Sequence, residues 1–194
     1  GIVDISVEVY DVNLDDCSAK LEYVSGATCD FSSPLDPTLD ESPANITFDH
    51  GTVSIKNNAD YQIGSSSKII TSSGSNTVNF DWLANTDIGG AYGTYCLRLT
   101  VNDGQNDQVL KATTSITYDD QDPIAPGDLE VAFVTGVSVR LNYGLSGSDP
   151  SFDEYKIFYK EGTSGVTESD MEYNSFNDSN LGLENFGLAA NTTI

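Results

Sequence analysis

Along the first ten residues Val3, Ile5, Val7 and Val9 alternate with Asp4, Ser6, Glu8 and Tyr10, the period-two pattern of a strand with one buried face. Ala19, Leu21 and Tyr23 repeat it, and Ser25 with Gly26 supplies the turn that closes it. The pattern predicts further strands at residues 46–48, 52–55, 68–71 and 76–82. In residues 94–101, Tyr95, Leu97, Leu99 and Val101 share one face, and Asn102, Asp103 and Gly104 turn the chain into a strand over 112–118. Short alternating runs with turn signals every ~8–12 residues describe an all-β chain built as sandwiches.

The alternation stops between Asp119 and Leu129, where four acids and two prolines fall in eleven residues. It resumes at 129–134, 137–143 and 155–159, while Thr167 as a cap predicts a helical turn over 167–171. A chain of 194 residues suits two domains of about 100 residues. The boundaries read from the sequence are 1–119 for the first domain, 120–127 for an acidic, proline-bearing linker and 128–194 for the second.

Composition narrows the partners. With 30 Asp and Glu against 8 Lys and Arg, the formal charge is −22, which repels phosphate backbones and anionic headgroups. Nucleic acid and direct membrane insertion are therefore not expected, and no apolar run is long enough for a spanning helix. The acidic excess leaves three readings open: solubility, a salt-rich habitat, or carboxylates arranged to hold calcium. A start at Gly1, without Met or a basic leader, reads as a processed or excised piece.

Residues 76–82, ending in Phe80, Asp81 and Trp82, then Asp87, then Tyr95 to Gly104 with its Asp-Gly turn, resemble the immunoglobulin-like domains of bacterial secreted and cell-surface proteins. The linker from Asp122 to Leu129, with Pro123 and Pro126, and the strand from Glu154 to Lys160 resemble the opening and third strand of fibronectin type III domains. The resemblance implies two tandem sandwiches. It also implies that the second is incomplete, because a fibronectin type III domain takes seven strands in about 100 residues and only 72 run from Pro123 to Ile194. Either a longer protein was cut, or a strand from a neighbouring subunit completes the sheet.

Five acids are the candidate calcium ligands: Asp119, Asp120 and Asp122 in the linker, with Asp103 and Asp107 in the loop after the 94–101 strand. Calcium takes six to eight oxygens, and an acidic junction is one way to collect them. Asp11, Asp15 and Asp16 form a weaker cluster that reads as a turn. The three cysteines form neither a CxxC pair nor a Cys/His set, so zinc is not expected. Cys17 and Cys29 flank one strand and its turn and are expected to pair in an oxidising compartment. Cys96 alternates away from the core and is left as a thiol under a loop or a link to another chain.

His50 is the single histidine and lacks any nucleophile motif around it. Trp82 and Phe80, two positions apart, are expected to fill the first core, and Tyr92 is the loop aromatic suited to stacking on a sugar. Asn45, Asn177 and Asn191 head glycosylation sequons. The expected function is that of a structural or adhesive module of an extracellular or cell-surface protein, a filament or surface-layer subunit joined to other copies by strand completion, and not an enzyme. The alternative is a glycan-binding or spacer region of a larger secreted enzyme.

Overall fold

The computed structural model describes residues 1–124, 127–143, 149–184 and 192–193. The chain divides into two compact units, Gly1–Gln121 and Asp122–Ile194. Ala125 and Pro126 of the expected linker, and Asn191 of the third sequon, lie outside the described residues. The fold is all-β, in small antiparallel sheets with one short α-helix and two single 3-10 turns among the described residues.

In the first unit β1 (Val3–Val9), β4 (Asn76–Trp82) and β3 (Thr47–Phe48) form one sheet in the order β1-β4-β3. The other sheet runs β2-β5-β6, from β2 (Ser18–Ser25), β5 (Tyr92–Asn102) and β6 (Ala112–Asp119). The inward positions of both sheets meet in one core: Val9, Val78, Phe80 and Trp82 from the first, Ala19, Leu21, Tyr23, Tyr95, Leu97, Leu99 and Tyr118 from the second. Each strand contributes every second residue, as the alternation predicts. Trp82 is fully buried, with its ring 4.9 Å from that of Tyr23.

β2 is buried along most of its length, with Lys20 half-buried and Ser25 exposed. Residues 26–36 cross its outward face, where Asp36 meets Lys20 at 3.0 Å, and there Glu22 and Val24 are buried. Glu22 faces Arg98 across the β2–β5 pair and accepts from its guanidinium at 2.7 and 2.8 Å. Arg98 in turn lies 4.4 Å above the Phe31 ring. The free edge of β2 is also occupied. Cys17, Ala19 and Tyr23 exchange backbone hydrogen bonds with Ile69, Ile63 and Leu35 at 2.8–3.0 Å. Between them the buried Gln62 side chain accepts from Leu21 N–H at 3.3 Å and donates to the Pro37 carbonyl at 3.0 Å. A side-chain amide thus fills the one gap in a broken strand.

Two expected strands, 52–55 and 68–71, dissolve into that covering. Ile55 and Ile69 make single bridges, to Ile63 and Cys17, instead of ladders. The expected Cys17–Cys29 disulfide is corrected as well: Cys29 bonds Cys96, with a Cα separation of 5.3 Å, and Cys17 is a buried free thiol. The reason is the pleat. Cys17 belongs to the core cluster with Ala19, Leu21 and Tyr23, whereas Cys29 lies in the segment crossing the opposite face, where Cys96 points. The outward aim read for Cys96 holds, and the loop over it supplies its partner.

The second unit is slighter. β7 (Leu129–Val134), β8 (Val139–Tyr143) and β11 (Thr192–Thr193) form a sheet in the order β11-β8-β7, and β9 (Ile157–Tyr159) pairs with β10 (Met171–Tyr173). Its core consists of Leu141, Ile157 and Leu181, with Val139, Tyr155 and Tyr173 packed against them. The helical turn expected over 167–171 does not form. Asp170 N–H donates to the Thr167 carbonyl at 3.0 Å, and this tight turn delivers the chain into β10 at Met171.

Candidate strand-docking surfaces

Of the five candidate metal ligands, the four in the first unit fall in two separate pairs. Asp103 accepts from the N–H groups of Gln105 and Asn106, each at 2.7 Å, and these bonds hold its carboxyl below the usual range. Asp107 accepts from the Tyr61 hydroxyl and, at 2.9 Å, from Asn102; the Tyr61 bond lowers its pKa most. Asp119 accepts from Gln121 N–H at 3.2 Å. Asp120 is held by the Gly1 ammonium at 2.7 Å, the largest cause of its lowered pKa. Asp103 and Asp107 precede β6 and Asp119 ends it, so a strand of about 26 Å separates the two pairs. Asp122 belongs to the other unit. No group of three or more potential ligands converges among the described residues.

The remaining candidates have structural partners. Asp11 accepts from Asn13 and Asp15 N–H groups at 2.8 and 3.1 Å and so builds a turn. His50 is pinned through its backbone by the buried Asn76, which accepts from its N–H at 3.2 Å and donates to its carbonyl at 2.9 Å. Trp82 donates its indole N–H to Asp87 at 2.6 Å. Asp87, carried on the helix α1 (Ala84–Ile88), also accepts from Thr38 N–H and Oγ1 at 2.7 Å each. It ties three segments together, a role that its place in the Trp82 motif hints at without specifying. Tyr92 stands exposed at the start of β5.

The unusual surface is β7. Leu129 pairs with Tyr143, Val131 with Leu141 and Val134 with Val139. A bulge at Ala132, between Val131 and Phe133, resets the alternation, so these three apolar residues share the face that Leu141 presents to the core. Yet Leu141 is 7 % exposed while Val131 and Val134 are each 61 % exposed. Phe133, on the other face with Arg140, is equally open. β7 is also an edge strand, paired only with β8 among the described residues. Among the described residues it combines an exposed apolar face with a row of backbone donors and acceptors that no other strand pairs, a combination that natural sheets ordinarily guard.

A second opening lies in the first unit. β1 and β6 each lie at one edge of their sheets, and between them runs a groove of about 290 Å³ lined by Ile5, Val7, Glu8, Leu21, Leu97 and Leu99 among others. Along β6 Tyr118 is buried in the core, whereas Ala112 and Thr114, which line the groove, are exposed. Alternation marks β1 and β6 as strands but carries no signal that their edges stand apart. The chain matches no protein-family model, no curated protein and no solved structure.

Proposed function

We propose that the chain is a structural or adhesive module of an extracellular or cell-surface protein. In this reading the two units are an immunoglobulin-like and a fibronectin type III-like sandwich, and the second is completed by a strand from another chain. No catalytic chemistry is needed; the function lies in stiffness, exposure and strand edges. The observation that carries the reading is the β7 face, where Leu129, Val131 and Val134 stay open beside the buried Leu141. A strand laid over them buries apolar surface worth about 25 cal/mol per Å² and satisfies an open edge at once. Two further features agree with it. The Cys29–Cys96 disulfide suits an oxidising compartment, and the charge of −22 suits a surface that must stay soluble until edges meet.

Static light scattering against concentration tests this. The intact chain should grow in mass as concentration rises, and Val131→Asp should hold it at the monomer mass with its thermal melting unchanged. A wild-type chain that remains monomeric at every soluble concentration contradicts the reading.

A further inference from the structure

The groove between β1 and β6 has the form of a missing strand. Its walls are two sheet edges unpaired among the described residues, its floor is the inward side of Leu21, Leu97 and Leu99, and the inward positions of β6 at Ala112 and Thr114 lie open above that floor. We propose that this groove receives β7 of a second copy of the chain, running parallel to β6, so that copies join head to tail. The proposal rests on the strand-completion reading: the strand that closes the open edge of β7 is β6 of the neighbouring copy, and β7 in turn fills that copy's groove.

Three observations point to that occupant and that direction. The first is fit. β7 spans six residues against eight in β6, about 20 Å against 26 Å, and the bulge gathers Leu129, Val131 and Val134 on one face, the face a strand over an apolar floor must present. The second is charge. Two chains at −22 repel one another, and residues 112–118 of β6 carry no acid, which leaves Glu8 on β1 as the acid that lines the groove. Lys111 stands at the head of β6, Asp128 and Glu130 at the head of β7, and Asp119 and Asp120 at the tail of β6. Parallel docking sets Lys111 beside Asp128 and Glu130, whereas antiparallel docking sets Asp128 against Asp119 and Asp120.

The third observation is connection length. Nine residues, 120–128, join β6 to β7, fewer than the dozen or so that a parallel crossover within one chain requires. The parallel register is therefore open to another copy. A contact of one patch with a different patch does not close on itself, so the product is a chain of subunits and not a closed dimer.

The test is sedimentation velocity on the intact chain and two surface variants, Thr114→Lys in the groove and Val131→Asp on the donor. Both positions are exposed, and circular dichroism melts confirm folding. Wild type should form oligomers that lengthen with concentration, and each variant alone should stay monomeric. An equal mixture should give a dimer and nothing larger, because one variant keeps its donor and the other its groove. Lys111→Glu should weaken assembly about fivefold, and adding Glu130→Lys should restore it. If wild type assembles and Val131→Asp stops it while Thr114→Lys does not, the groove assignment falls and strand completion stands. If wild type never assembles, both fall. A mixture that yields no dimer, or a charge swap that fails to rescue, overturns the head-to-tail parallel arrangement.

Discussion

β2 and β7 are written in the same alternating code and meet opposite fates. β2 has its inward face in the core, its outward face under residues 26–36 and its edge bonded to Leu35, Gln62, Ile63 and Ile69. Among the described residues β7 has one neighbour, β8, and an apolar face left open. The covering of β2 comes from residues 26–75, a stretch with a two-residue strand and little regular pattern. The lesson is that alternation specifies which side chains want cover, while irregular, loop-borne hydrogen bonds decide whether they get it.

The contrast breaks most readily at the staple. Cys29 and Cys96 are 67 residues apart, and a loop of that length is worth about 4 kcal/mol on the chain-entropy model. Reduction, or Cys29→Ser, should lower the first unit's melting by that order and leave the second unit's transition in place, as read by calorimetry. Truncation of matched leucines comes next. Leu21→Ala, at 2 % exposure in the wild type, should cost about 3 kcal/mol in denaturant unfolding, and Leu129→Ala less than about 0.5 kcal/mol in the dilute monomer. Equal costs at the two sites would erase the distinction between covered and uncovered strands.

Gln62→Leu sharpens the point at the level of one hydrogen bond. It removes the acceptor of Leu21 N–H from a buried edge and should cost about 2 kcal/mol, a loss with no counterpart on the open edge of β7. The smallest effect is titration. Burial, followed by the nearby acids Asp11 and Asp103, pushes the Cys17 thiol up to about 11 from 9.0. The folded state favours the neutral thiol, so its contribution is fully present below pH 9 and declines as pH rises from 9 toward 11. Cys17→Ala should flatten that part of the stability–pH curve, and a thiol reagent should modify Cys17 only on unfolding.

Much of the strand plan was legible in the residues. β4 and β7 span the residues that alternation marks, 76–82 and 129–134, because both follow a strict pleat or end at clear turn signals. Residues 52–55 and 68–71 carry strand-like patterns but serve as single bridges, since their partners are loop segments and the edge of β2. The disulfide was misread from proximity in sequence, whereas the pleat sets Cys17 and Cys29 on opposite sides of the sheet. The acids scattered for a related reason. Asp103 is held by the neighbouring N–H groups of its own turn, while Asp107 and Asp120 are held by donors distant in sequence, Tyr61 and the Gly1 ammonium, which spacing along a chain does not reveal. The docking surfaces were only half legible, because apolar alternation at β7 looks identical whether or not a cover exists.

Amide hydrogen exchange across a concentration series tests the central claim most directly, that β7 is closed by another chain. The account predicts slow exchange in β2 at every concentration, and fast exchange in β7 at low concentration that slows as oligomers form, in step with β6. Exchange in β7 that is unchanged from the dilute to the concentrated chain would contradict it.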